Sequence, residues 1–212
     1  MHIIGINHYE TFLLAGILLN LTPGNDTIYI LSRSIAQGRN AGILSALGIG
    51  SGSIIHTMFA AFGLSIIISK SILVFSIIKY LGAIYLVYIG IKMILDKSKL
   101  QFKNIKPAQK KSLSIYRDAA LTNIFNPKVA MFFIAFLPQF IEPTYKSSII
   151  PFITLGFTFT FTGTIWCIVL ALFSSRIFLK LRVNRKLSFY LNKTCGAVLI
   201  GLGIKLALID RK

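Results

Sequence analysis

Leu21-Thr22-Pro23-Gly24-Asn25-Asp26 interrupts the first long apolar stretch of the chain, which runs from Tyr9 to Leu31. Proline lacks the backbone donor a helix interior needs, and the glycine beside it loosens the chain further. The stretch is long and apolar enough to span a bilayer, so the break and the carboxylate of Asp26 fall about halfway across. A carboxylate at that depth costs roughly 2.5–3.5 kcal/mol on insertion scales. Freed backbone groups there are tolerated only inside protein or beside water. Asn126-Pro127-Lys128 makes a second break at the matching place in the other half of the chain. Paired interruptions of this kind mark the midplane site of membrane transporters.

The composition agrees with a polytopic, all-α membrane protein. Of 212 residues, 55% are hydrophobic and only 14% charged, with a mean hydropathy of +0.74. Soluble domains carry about 25% charged residues. The net charge of +17 does not read as a nucleic-acid surface. Its lysines and arginines sit in short segments between apolar stretches rather than in a stripe with interleaved aromatics, so they act as topology signals. Cys167 and Cys195 lie far apart in apolar sequence, with no CxxC, HExxH or Cys/His cluster, which indicates neither metal nor cofactor. Phosphate-binding glycine loops, Ser/His/Asp triads and ATP-binding motifs are absent, so the sequence points to neither an enzyme nor a primary pump. The N-terminus has no basic n-region and no small-residue cleavage site, and the first helix is expected to stay uncleaved.

Six stretches reach the roughly 20 residues a membrane helix needs. They lie near Tyr9–Leu31, Ala41–Ile68, Ser71–Leu95, Asp118–Ile141, Ser148–Ser174 and Ser188–Ile209, with a tight turn at Ser69-Lys70. The first, third and fifth connections hold fourteen basic residues, seven of them between Lys97 and Arg117. The opposite side holds four: Lys70, Lys146, Arg211 and Lys212. The positive-inside rule therefore predicts both termini outside and the three basic connections in the cytoplasm. Lys79, Lys92, Lys193 and Lys205 lie near helix ends and can snorkel.

The halves echo one another. Lys79-Tyr80-Leu81-Gly82-Ala83 is similar to Lys193-Thr194-Cys195-Gly196-Ala197, and Gly90-Ile91-Lys92 to Gly203-Ile204-Lys205 after a one-residue slip. A repeat of three crossings must enter the membrane upside down the second time. The expected organisation is two inverted three-helix repeats, 1–95 and 118–212, joined by a basic cytoplasmic linker, 96–117.

Asp26 is the principal candidate for chemistry. It lies where the helix restarts, near free N–H groups suited to an anionic substrate group, and its own carboxylate suits an ammonium or a proton. Capping the second half-helix is the alternative use. Lys128 follows Asn126-Pro127, with Asn123 one turn earlier. It can pair with Asp26, meet a substrate carboxylate, or snorkel out of a tilted helix. Gly48, Gly52 and His56 share a face, where Gly-x3-Gly permits close helix approach and a possible homodimer. His56 suits either a proton relay or a plain interhelical hydrogen bond. Pro138-Gln139-Phe140 is expected to end the fourth helix. Thr154, Thr158, Thr160, Thr162 and Thr164 either line a polar path or bond back to their own helix. Trp166 reads as packing or lipid contact.

These residues resemble a known family. Thr22-Pro23-Gly24-Asn25-Asp26 with Ser32-Arg33-Ser34 and Gly38-Arg39-Asn40-Ala41-Gly42 is similar to the N-terminal signature of the LysE/RhtB amino-acid exporters. So is the run from Ala46-Leu47-Gly48 through His56 to Gly63-Leu64-Ser65. Tyr80-Leu81-Gly82-Ala83-Ile84-Tyr85-Leu86, Asn123-x-x-Asn126-Pro127-Lys128 and Phe136-Leu137-Pro138-Gln139-Phe140 resemble its third and fourth helices. The match is specific over roughly the first two-thirds of the chain and weak in the last two helices. The resemblance implies a bacterial inner-membrane secondary transporter that exports amino acids or close derivatives, driven by protons. It implies a substrate site at Asp26, Asn126, Pro127 and Lys128, to which the residue reading adds Pro23, Gly24, Asn25, Asn123 and His56. The family usually reads Pro-Gly-Pro-Asp, and Asn25 stands here in place of the second proline. The rival readings are a membrane-embedded thiol–disulfide electron carrier, which would need Cys167 and Cys195 as a reactive pair, and a channel or regulatory membrane subunit.

Overall fold

The computed structural model describes residues 5–64, 72–95, 109–145, 148–174 and 185–208. The turn at Ser69-Lys70, the linker over 96–108, the fifth connection over 175–184, both chain ends and the Cys195 side chain lie outside the described residues. So do most of the charges used to orient the chain.

Among the described residues every regular element is a helix. In chain order they are α1 (Tyr9–Leu21), α2 (Asn25–Gln37), α3 (Arg39–Met58), α4 (Ile72–Leu95), α5 (Ser112–Ile124), α6 (Pro127–Met131), α7 (Ile149–Leu172) and α8 (Arg185–Leu208). The first apolar stretch is thus two helices, broken at Thr22-Pro23-Gly24 as the proline and glycine require. The fourth is also two, broken at Phe125-Asn126. α3 continues as a wide π-helical turn over Phe59–Leu64, and α6 as a π turn over Phe132–Phe136. A 3₁₀ turn over Leu137–Phe140 then closes the segment, where Pro138 was expected to end it.

Arg39–Leu64 and Ile149–Leu172 are each long and apolar enough to cross a membrane. Ser112–Ile124 with Pro127–Phe140 makes a third such span if the pair, bent by 46°, is counted as one. The outer faces of the first two of these spans are strongly apolar. Leu47, Ile54, Met58, Phe59 and Phe62 are exposed along α3 and its extension, and Phe157, Phe161 and Ile165 along α7. Helices apolar all round belong inside a bilayer. The buried side between α1, α6 and α7 is a phenylalanine cluster, with the Phe132 and Phe159 rings stacked at 4.6 Å and Phe12 edge-on to Phe140 at 5.3 Å.

Packing follows the small residues. α3 lies against α5 and α7, α1 against α7, and α4 against α8. A side chain at Gly48 would run into the Tyr116 carbonyl, and one at Gly52 would stand 2.8 Å from the Ala120 carbonyl. This Gly-x3-Gly face is therefore filled by α5 of the same chain rather than left open for a second copy. α4 and α8 meet reciprocally. A Cβ at Gly90 would lie 2.6 Å from the Gly196 carbonyl, and one at Gly203 would lie 2.9 Å from the Ala83 carbonyl.

Two further contacts tie chain segments to common ends of the bundle. Gly5 and Asn7 exchange backbone hydrogen bonds with Glu142 and Phe140, at 2.9 and 2.8 Å. At the other end the Gln37 side chain donates to the Lys110 carbonyl (2.9 Å) and accepts from its N–H (3.1 Å).

Candidate functional site

The break in the first apolar stretch leaves two half-helices with complementary charge at their ends. Thr22 is extended (φ −66°, ψ 119°), so α1 stops with the carbonyls of its last turn short of helical partners. Gly24 opens α2, its carbonyl accepting from the Ile28 N–H at 3.0 Å. Asn25, Asp26 and Thr27 occupy the first turn of α2, where N–H groups are free and the helix dipole favours a carboxylate. Asp26 is half-buried there and Asn25 is exposed.

The second break is built differently. Buried Asn126 caps α6, its side-chain Oδ1 accepting from the Lys128 N–H at 3.1 Å. Exposed Pro127 occupies the first position of α6, where a missing N–H costs nothing.

Side chains then cross between the halves. Lys128 Nζ donates to the carbonyls of Leu19 (3.1 Å) and Thr22 (3.0 Å), capping the broken end of α1. A cation there meets the carbonyls of the last turn, of which Leu19 also accepts from the Thr22 N–H, and the negative end of the helix dipole. The lysine does not run outward as snorkelling would require. Gly24 leaves room for it, since a Cβ there would stand 3.4 Å from Nζ. In the opposite sense, His56 of α3 donates from Nε2 to the Asn123 carbonyl at 3.1 Å, capping the broken end of α5. The Asn123 side chain completes the link, its Nδ2 donating to Asp26 Oδ2 at 2.9 Å.

A cavity of about 30 Å³ lies at this junction. Its polar wall carries Asp26, Lys128, Asn20 and Asn123, with Ser53, Thr160 and Thr164 beside them. Its apolar wall carries Ile49, Val129, Phe159, Trp166 and Cys167. Gly50 brings α3 close to α7 at Thr164, and Gly163 brings α7 close to α1 at Asn20. Four buried polar atoms of lining residues have no hydrogen-bond partner: Asp26 Oδ1, Asn123 Oδ1, Asn20 Nδ2 and Trp166 Nε1. Such atoms are costly in a folded protein and mark places a ligand can satisfy.

Asp26, Asn123 and Lys128 are therefore brought together in one cavity. Pro23, Gly24, Asn126 and Pro127 shape the breaks behind it, Asn25 faces outward, and His56 stands one residue back, its ring stacked on Phe133 at 5.6 Å. The threonines of α7 divide by face. Thr154, Thr158 and Thr162 bond back to carbonyls of their own helix. Thr160 pairs with Ser53 at 2.9 Å, and it lines the cavity with Thr164. Sequence reasoning missed Asn20, Ser53 and Trp166. Asn20 left a signal, a lone amide in an apolar run three residues before Pro23. Trp166 left none.

Residues 17–209 match the family described as LysE type translocator. The chain is 31% identical over 199 residues to the uncharacterized membrane protein YrhP of Bacillus subtilis, covering 90% of this chain and 94% of that one. It is 27% identical over 210 residues to the Leucine efflux protein of Salmonella typhimurium, covering 97% of both. An uncharacterized membrane protein of Pseudomonas aeruginosa is 28% identical over 211 residues, covering 98% of both. No solved structure matches the chain. With its length matched almost throughout and its helices apolar on their outer faces, the chain is a multi-pass membrane protein belonging to the LysE family of translocators.

Proposed function

We propose that the protein exports a small neutral amino acid from the bacterial cytoplasm across the inner membrane, in exchange for protons. The observation that carries this reading is the cavity shared by Asp26 and Lys128, one carboxylate and one ammonium beside an apolar wall. A zwitterion with an uncharged side chain matches that balance. A relative named for leucine efflux supports the substrate class.

Alternating access accounts for the size of the cavity. About 30 Å³ holds roughly two waters, far less than an amino acid. Substrate must therefore enter and leave by movement of the surrounding helices, and the breaks at 22–24 and 125–126 are places where that movement costs least. Six crossings arranged as two inverted three-helix repeats, 1–95 and 118–212, supply the two moving bodies. The reciprocal packing supports this arrangement: α3 against α5 as α7 against α1, and Gly90 with Gly203 between α4 and α8.

Asp26 is the proton site in this scheme. Cytoplasmic substrate binds as its ammonium displaces the proton of the Asp26 carboxyl, which leaves to the cytoplasm. After substrate departs to the outside, a proton from outside returns to the carboxylate and resets the carrier. The positive-inside count supports a topology with both termini outside. Backbone pairing of 5–7 with 140–142, and of Gln37 with Lys110, groups the segments by side as that orientation needs.

Counterflow in proteoliposomes tests the proposal. Unlabelled leucine and other neutral amino acids are loaded one at a time, and uptake of the same labelled compound is followed. Saturable uptake that needs internal substrate, and acidification-driven transport, are expected. Conduction that neither saturates nor exchanges would contradict the carrier.

A further inference from the structure

The four unpartnered atoms in the cavity sort by chemistry. Asp26 Oδ1 and Asn123 Oδ1 accept hydrogen bonds, whereas Asn20 Nδ2 and Trp166 Nε1 donate them. They also sort by position. The acceptors belong to α2 and α5 and are joined through the Asn123–Asp26 hydrogen bond, which fixes the Asn123 amide with its oxygen left over. The donors belong to α1 and α7. Asn20 adjoins α7 at Gly163, where a Cβ would stand 3.0 Å from the Asn20 amide oxygen. Trp166 follows Gly163 by three residues and so lies on neighbouring helix surface.

We propose that Asn20 Nδ2 and Trp166 Nε1 form a carboxylate-binding subsite, opposite an ammonium subsite made by Asp26 Oδ1 and Asn123 Oδ1. The inference rests on the exporter reading and deepens it by assigning each end of the zwitterion. The Lys128 ammonium is bonded to the Leu19 and Thr22 carbonyls. Its positive charge reaches the cavity, but the direct bonds to the substrate carboxylate come from two neutral donors. An indole N–H and an amide are rigid, short and permanently protonated, so the subsite holds a carboxylate at any pH the cell meets. The required ligand is a free α-amino acid. Amines that lack the carboxylate leave both donors without an acceptor, and amides, which keep one carbonyl oxygen but put an NH₂ in place of the other, leave one donor facing another donor.

The chain contains one tryptophan, so its fluorescence reports Trp166 alone. Leucine and leucinamide, which differ only at the carboxylate, are compared as probes on the unaltered protein and on Trp166→Phe and Asn20→Ala. Leucine is expected to alter Trp166 emission at concentrations that support counterflow, and leucinamide is not. Each variant is expected to weaken half-saturation for leucine by about tenfold to a hundredfold, the cost of losing a hydrogen bond to a charged group. Each is also expected to flatten the preference for leucine over leucinamide. If the unaltered protein exchanges leucine without any change in Trp166 emission, and both variants keep the leucine preference, the subsite is refuted and the exporter reading stands. If the unaltered protein exchanges no neutral amino acid, the exporter reading falls and the subsite with it. Should either variant fail to reach the membrane, the fluorescence comparison on the unaltered protein still decides.

Discussion

Asn123 donates its side-chain amide to Asp26 at 2.9 Å, joining the last turn of α5 to the first turn of α2. The backbone carbonyl of the same residue accepts from His56 at 3.1 Å. One asparagine thus couples three helices and holds the only carboxylate that lines the described cavity. Its position depends on Gly52, which lets α3 approach closely enough for His56 to reach the α5 carbonyls.

Gly52→Ala tests that dependence. The added methyl would stand 2.8 Å from both the Ala120 carbonyl and the Asn123 Cβ. Overpacking of this kind costs about 1–3 kcal/mol, and the shift moves Asn123 away from Asp26. Exchange is expected to fall steeply, together with thermal stability in detergent. Gly63→Ala is the control, since a Cβ there meets nothing within 4 Å. It is expected to retain both.

Lys128→Met leaves the Leu19 and Thr22 carbonyls at the end of α1 without their ammonium. Leu19 keeps the Thr22 N–H at 3.2 Å, and the Thr22 carbonyl left unsatisfied costs about 1–3 kcal/mol. The variant is expected to melt earlier in a thermal-shift assay and to lose exchange. Lys128→Arg, which keeps charge and donors, is expected to recover stability more fully than exchange, because the guanidinium is planar and bulkier at the cavity wall.

His56→Gln keeps an N–H donor within reach of the Asn123 carbonyl, whereas His56→Leu removes it. The Asn123 carbonyl keeps the Asn126 N–H at 2.9 Å, so the glutamine variant is expected to retain exchange within a few-fold, and the leucine variant to lose about 0.5–1.5 kcal/mol of stability and most of its exchange. Equal and complete loss of proton coupling in both would instead make His56 a relay.

Cys167 is a free thiol, buried in α7 at the cavity wall. Replacing Cys167 and Cys195 together with serine is expected to leave counterflow within a few-fold of its starting value. Abolished activity in correctly inserted protein would revive the electron-carrier reading.

The breaks in the first and fourth spans were legible because proline and glycine act locally: a missing donor shows in the sequence wherever the chain goes. The end of the fourth span at Pro138-Gln139-Phe140 was legible for the same reason. The packing face of Gly48, Gly52 and His56 was readable from helical spacing, though not which helix would fill it. The π turns at Phe59–Leu64 and Phe132–Phe136 were not readable, because no residue in either run demands a wider helix. The role of Lys128 was hidden because it depends on carbonyls 106 and 109 residues away. Trp166 packs against the cluster around Ile30 and Leu170, in keeping with its reading as a packing residue, but its place on the cavity wall was not legible, since an indole on an apolar helix looks the same from either side until the burial of its N–H is known.

The central claim is that Asp26 carries both substrate and proton, and Asp26→Asn tests it most directly. The substitution keeps the side chain's size and its place at the start of α2 but removes its charge and its proton. Leucine counterflow and pH-gradient-driven transport are measured in proteoliposomes at matched protein levels, with insertion checked independently. The account predicts that both are lost in the variant, by at least tenfold. Undiminished exchange and proton-driven transport from correctly inserted Asp26→Asn would contradict it.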